Sequence, residues 1–157
     1  MARMYHYYRD PKNDLDVWDF MNVSAVVGPG GVNQPDDIIV VQALLRYLPA
    51  DLRGVSDRDC PLITGAFDSP TRDAIEMYQR SYNLRPNRKG RIIEDGRVSP
   101  AENRTLFGGG DYTWTIIRLN RDARKIGKLR GLNADVGYMD AIWERWPEVR
   151  AALHLSA

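Results

Sequence analysis

Twice along this chain a glycine-centred loop leads into a proline or threonine and then into an apolar pattern of helical period. Few architectures other than a helical bundle accommodate that recurrence. The first instance is Gly65-Ala66-Phe67-Asp68-Ser69-Pro70-Thr71, running into Ala74-Ile75-Glu76-Met77-Tyr78-Gln79. The second is Asp95-Gly96-Arg97-Val98-Ser99-Pro100, followed after an insert by Thr113-Trp114-Thr115-Ile116-Ile117. Ahead of both, Val27-Gly28-Pro29-Gly30-Gly31, with Asn33, Pro35 and Asp37, runs into Val40-Val41-Gln42-Ala43-Leu44-Leu45. Glycine allows backbone turns that a side chain would obstruct. Proline suits the first helical turn, and a threonine hydroxyl there takes an otherwise unpaired amide.

The periodicity predicts a first helix over about 35–48, with Ile38, Val41, Leu45 and Leu48 on its inner face and Pro49 as its stop. A second begins near Ser69, capped by Ser69 or Asp68, with Thr71, Ala74, Ile75, Tyr78 and Tyr82 inward and its end marked by Asn83 and Pro86. A third is expected over about 112–125, with Asp111 as cap and Ile116, Leu119, Ala123 and Ile126 buried. A last helical region over about 138–153 carries Met139, Ile142, Trp146, Val149 and Leu153, and Pro147 must kink or split it. Between these, residues 50–63 read as a polar connection, Leu62-Ile63-Thr64 as a short extended segment, Arg91-Ile92-Ile93 as a short strand, and Gly108-Gly109-Gly110 as a flexible joint. The fold class expected is mainly α, with Val41, Leu45, Ile75, Tyr78, Ile116 and Leu119 meeting in one core.

Composition narrows the function classes. At 157 residues, 43% hydrophobic and 27% charged, the chain is of ordinary globular make-up and one-domain length. Its net charge of +1 gives little whole-molecule attraction to nucleic acid or anionic membrane. The single cysteine, Cys60, rules out an internal disulfide framework. With only His6 and His154 beside it, a closed zinc shell lacks ligands, and no metal or other cofactor is expected. No apolar run reaches membrane-spanning length. Residues 1–23 form an aromatic arm with Tyr5, Tyr7, Tyr8, Trp18 and Phe20, either stapled to the helical body or presented to a partner. Its four acidic residues and broken apolar pattern do not make a secretory signal peptide.

Catalytic constellations do not assemble. The loop at 28–37 lacks the Lys-Ser/Thr of a phosphate-cradling loop. There is no Gly-x-Ser-x-Gly elbow and no metal-binding histidine motif. Cys60 lies in a charged loop beside Arg58 and Asp59. The carboxylate pairs Asp36/Asp37 and Glu94/Asp95 have the composition of a glycosidase pair but also suit helix-end charge and turn formation. The basic run Arg118, Arg121, Arg124, Lys125, Lys128 and Arg130 fits phosphate contacts or a solvated helix face near a C-terminal dipole. No recognition-helix pattern accompanies it. No catalytic residue is assigned, and nucleic acid is not an expected partner.

Taken in order, the motifs over roughly residues 24–120 resemble the peptidoglycan-binding-domain family, a small helical module of cell-wall hydrolases and envelope proteins. Val41-Gln42-Ala43-Leu44-Leu45 is similar to the family's Leu-Gln-x-x-Leu helix. Gly65, Phe67, Thr71, Ala74, Ile75 and Gln79 match its Asp-Gly-x-Phe-Gly-x-x-Thr element and the helix that follows, with Tyr78 in place of phenylalanine. Thr64 stands where the family has aspartate, and Asp68 replaces the second glycine. Asp95, Gly96, Val98, Thr113, Trp114 and Ile117 match the third element, which the insert Ala101 to Tyr112 divides.

Beside an arm over 1–23 and a helical extension over 128–157 packed on the same domain, both read from the residues themselves, the resemblance implies a three-helix core over 24–127 with loop-rich connections. It implies binding of cell-wall glycan-peptide without catalysis, through a shallow groove bordered by the two glycine loops. Asp68, Gln79, Asp95 and Arg97 are the candidate ligand contacts, although Asp68 and Gln79 also suit capping and backbone satisfaction. Made in the cytoplasm without a visible signal peptide, the protein would reach the periplasm only by a non-classical route, such as one linked to type VI secretion. The alternative is a repurposed cytoplasmic adaptor or effector-associated protein. It would bind a protein partner through the arm and Trp143, at the edge of the last helix's apolar stripe near Trp146.

Overall fold

A computed structural model of the chain describes residues 2–7, 18–88, 90–102, 107–109 and 111–154. Among these the fold is mainly helical. Two strands, β1 (Arg3–Tyr7) and β2 (Trp18–Asn22), are followed by α1 (Pro35–Tyr47), the single turn α2 (Ala50–Arg53) and α3 (Ser69–Leu84). A small pair, β3 (Phe107–Gly109) and β4 (Tyr112–Thr113), precedes α4 (Thr115–Leu129), α5 (Gly137–Arg145) and α6 (Pro147–Ala152).

Helix α1 starts as its sequence predicts, with Pro35 in the first turn and Asp36 and Asp37 near the positive end of the dipole. Asp37 does more than complement the dipole. Fully buried, it accepts the amides of Ser24 and Ala25, at 2.8 and 3.0 Å, and so ties the chain ahead of α1 to its first turn. Helix α3 has Asp68 as its cap. The Asp68 carboxylate accepts the Thr71 amide at 3.0 Å and the Thr71 hydroxyl at 2.5 Å. Pro147 splits the last helical region into α5 and α6.

Val41, Leu45, Ile75, Tyr78, Ile116 and Leu119 lie in one core, each at most 1% exposed. That core also takes Phe20 and Met21 from β2 and Tyr138, Met139, Ile142, Val149 and Leu153 from the last helices. Arm, bundle and C-terminal helices therefore share one apolar interior.

The arm is a β-ribbon, with Arg3 opposite Asn22 and Tyr5 opposite Phe20 in antiparallel register. Asn120 pins it to α4. Its amide nitrogen donates to the Met21 carbonyl at 2.8 Å, its oxygen accepts the Met21 amide at 3.0 Å, and the Tyr138 hydroxyl donates to that same oxygen at 2.8 Å. One buried amide thus joins the ribbon, α4 and α5. Tyr8, and the side chains of Tyr5, Tyr7 and Trp18, lie outside the described residues.

Five local expectations are corrected. The third helix begins at Thr115 and runs to Leu129, because Tyr112 and Thr113 are drawn into a strand pair with Phe107–Gly109. Asp111 is consequently no cap; its carbonyl accepts the Arg91 amide at 2.8 Å. Arg91-Ile92-Ile93 is not a strand beyond one bridge at Arg91, since the Asn83 side chain takes both the Ile92 amide and carbonyl, at 2.9 and 2.8 Å. Leu62-Ile63-Thr64 is irregular, its last amide being spent on a glutamine. Of the glycine joint, Gly108 and Gly109 belong to β3, and Gly110 lies outside the described residues.

Candidate functional site

The two recurrent loops are built by the same device. Gln42, on α1 and fully buried, accepts the amides of Thr64 and Gly65 at 2.8 and 3.0 Å. Its nitrogen donates to the Ala66 carbonyl at 3.1 Å and to the Thr71 hydroxyl at 2.9 Å. Gln79, on α3 and likewise fully buried, accepts the Gly96 amide at 2.8 Å. Its nitrogen faces the Arg97 carbonyl at 2.9 Å, and Asp95 Oδ1 and the Thr115 hydroxyl each at 3.2 Å. In both joints a helix glutamine clamps the next glycine loop and a threonine in the first turn of the next helix. Gly65 and Gly96 take φ of +72° and +69°, the left-handed region that glycine enters without strain. An amide suits this position because it offers donors and an acceptor together, matching a loop backbone that presents both.

Gln79 is therefore scaffold, its side-chain amide committed to the loop and to Thr115. Asp68 is half-buried and committed to capping α3. Asp95 is exposed; its Oδ1 also accepts the Arg97 amide at 2.9 Å, closing the turn. Arg97 is half-buried, with its Nε enclosed and without a hydrogen-bond partner. The four candidates do not converge on one groove. Asp68 and Gln79 are separated by about 16 Å along α3 at 1.5 Å per residue. They line different depressions.

The larger of these lies beside the first clamp. Its volume is about 510 Å³, and it is lined by Val55, Leu62, Thr64, Asp68, Pro70 and Asp73 together with Arg58, Asp59 and Cys60. Leu62, 67% exposed, forms an apolar lip. Cys60 is almost fully buried, and burial raises its thiol above the ordinary range against the opposing pull of Arg53 and Arg46. It is a poor thiolate nucleophile at neutral pH. The depression beside the second clamp holds only about 170 Å³, among Glu76, Gln79, Arg80, Glu94, Asp95 and Gly96. Three carboxylates crowd it.

Trp143 is half-buried and packs against the core, its indole N–H enclosed without a partner. Within the basic run, Arg118 is not on a solvated face. It is 6% exposed, with its guanidinium 5.5 Å from the centre of the Tyr82 ring. Arg124 donates to the Ala134 carbonyl at 2.7 Å and pairs with Asp135 at 2.6 Å, tying down the turn after α4.

Sequence reasoning passed over Asn120 and Arg53. Asn120 stands four residues after Ile116, on the inward stripe, and a polar residue at an apolar position is a signal of a buried hydrogen-bonded pin. Gln42 and Gln79 carry the same signal, four residues after Ile38 and Ile75. Arg53 gave no such warning.

Comparison with descriptions of known protein families, with curated proteins and with solved structures finds no match. Among the described residues, no helix is long and apolar enough to cross a membrane.

Proposed function

We propose that the chain is a non-catalytic binding module for bacterial cell-wall glycan-peptide, held in the groove beside the first clamp. The observation that carries this reading is the groove itself. About 510 Å³ of concave space adjoins the loop whose sequence most resembles wall-binding modules. That volume is in the range of small-ligand sites, and the lining mixes apolar contact with a few oriented polar groups, as such sites do. Leu62 and Pro70 offer apolar surface to a sugar face, while Arg58, Asp59 and Asp73 offer charged and hydrogen-bonding groups to hydroxyls and peptide. Asp68 is a rim residue here, occupied by its cap. Asp95 and Arg97 stand apart and are not part of the site. The protein would meet the wall only after delivery by a non-classical route, with a secretion-system component as the accompanying partner.

Co-sedimentation with purified wall sacculi tests this. The folded wild-type protein is expected in the pellet, and Leu62→Glu combined with Arg58→Glu in the supernatant. Asp95→Ala with Arg97→Ala is expected to pellet as wild type. A wild-type protein that stays in the supernatant overturns the reading.

One observation favours the alternative, an adaptor that binds protein. The end of α4 and the turn after it expose three apolar side chains, Leu129 at 73% and Leu132 and Val136 at 36% and 38%. Trp143 belongs to the core edge rather than to this patch, so the discriminating variant is Leu129→Ser. It should weaken capture of a protein partner from cytosol and leave sacculus binding unchanged.

A further inference from the structure

A second cavity, which shares Cys60 with the lining of the wall-ligand groove, opens where the C-terminal ends of α1, α4 and α5 approach one another. It encloses about 490 Å³ and is lined by Arg46, Arg53, Arg130, Arg145, Tyr47 and Asp57, with short apolar wall segments between them. Four guanidinium groups around one carboxylate is an unbalanced arrangement, and the partners of each show where the imbalance lies.

Arg53, 2% exposed, is internally spent. It donates to the Leu48 carbonyl, to the Val55 carbonyl at 3.0 Å and to Asp57. The hydrogen bond from Arg53 and its charge hold the Asp57 carboxyl below its ordinary range. These two charges cancel. Arg46 reaches only carbonyls, those of Pro61 at 3.1 Å and Cys60 at 3.5 Å. Arg130 lies over the Tyr47 ring at 4.9 Å and Arg145 over the Trp146 ring at 4.8 Å, aromatic faces that leave their N–H edges for other acceptors. Among the described residues, three positive charges thus face the cavity with no carboxylate hydrogen-bonded to them, although Arg46 also feels the charge of Asp57. The three helix C-termini offset part of this, but at about half an elementary charge each they supply only roughly −1.5. Tyr47 adds an independent mark. It is 4% exposed, and its hydroxyl is enclosed with no hydrogen-bond partner.

We propose that this cavity binds a compact phosphate-bearing small molecule, with Arg130 and Arg145 as its direct contacts and Arg46 and Tyr47 as the cationic and hydroxyl-bearing wall. A phosphate suits the site better than a carboxylate. It carries up to two charges on three acceptor oxygens, so guanidinium forks arriving from different helices can share it. Arginine is the residue matched to that planar, bidentate geometry. The cavity's size fits a small molecule.

Inorganic pyrophosphate is the probe, titrated calorimetrically and by thermal denaturation at constant ionic strength, beside a sugar phosphate and citrate. Saturable binding is expected, half-complete at about 1 mM or below and accompanied by a raised Tm. Arg130→Gln with Arg145→Gln, two exposed positions that leave the core untouched, should weaken it at least tenfold while circular dichroism stays that of wild type. Tyr47→Phe should retain the fold and weaken binding less. Absence of saturable binding, or equal binding by the double variant, overturns the proposal. Citrate binding as tightly as pyrophosphate overturns phosphate as the ligand class. Sacculus retention is read separately, at other residues, so failure of one assignment is distinguishable from failure of the other.

Discussion

The Gln42 joint and the Gln79 joint use one amide for the same task, yet they differ in what else secures the helix that follows. After the first loop, Thr71 comes six residues beyond Gly65, and α3 is capped by Asp68. After the second, Thr115 comes nineteen residues beyond Gly96, and α4 has Trp114 at its N-cap, with no side-chain cap. The first joint has a local reserve. The second relies on long-range anchors: the Asn22 side chain exchanging hydrogen bonds with Ala101 at 3.1 Å each, and Tyr78 and Arg85 both reaching Asp122, at 2.8 Å. The first joint also has the larger space beside it, about 510 Å³ against about 170 Å³. A locally secured loop next to a groove can hold a ligand without risking the fold, which is why the proposed site is there.

Alkali is expected to produce the largest effect, through the second joint. Tyr78 is held well above the ordinary tyrosine value, chiefly by burial and then by the Asp122 charge. Tyr138 is raised by burial against the opposing pull of Arg124. Both stay neutral in the folded chain while the unfolded chain ionises them near about pH 10. Their contribution is fully present below that pH and is lost as pH climbs toward the raised folded values, so unfolding is favoured progressively above about 10. Denaturant midpoints measured from neutral to alkaline pH check this; a midpoint flat through that range would remove the tyrosines from the account.

Next come the clamps themselves. Gln79→Leu strands the Gly96 amide and the Arg97 carbonyl and releases the Thr115 hydroxyl at the start of α4, and should cost about 4 kcal/mol. Gln42→Leu, with Asp68 still capping α3, should cost less, about 3 kcal/mol. Urea unfolding orders the two, and the reverse order would break the comparison. Asp68→Ala should cost about 1 kcal/mol as a lost cap. In the Gln42→Leu background its cost should rise by at least about 0.5 kcal/mol, because both side chains hold Thr71. Simple additivity there would show that the cap is no reserve. The smallest effect belongs to exposed Asp95: Asp95→Ala should stay within about 0.5 kcal/mol of wild type.

The helices were legible because their apolar stripes and proline starts are local signals, and the core followed from them. The start of α4 was not, because its position depends on β4 pairing with β3, a contact that helical periodicity across Tyr112 does not register. The glutamines were visible in the sequence but their meaning was ambiguous, since a helix amide can face a ligand or a neighbouring loop. Burial decides it, and burial is a tertiary property. The groove and the arginine cavity were illegible for a related reason. The cavity's lining comes from segments far apart in sequence, such as Tyr47 with Arg130, and no spacing rule brings those together; the groove is lined by one stretch, 55–73, whose irregular path follows no helical or strand period.

The central claim is that a wall ligand occupies the face beside the first joint and leaves the second untouched. Amide chemical-shift mapping with a soluble muropeptide measures this residue by residue. Shifts concentrated between Val55 and Asp73, with Gly96 and Arg97 unmoved, are the predicted result. Shifts centred on Glu94 to Arg97, or none at saturating muropeptide, would contradict it.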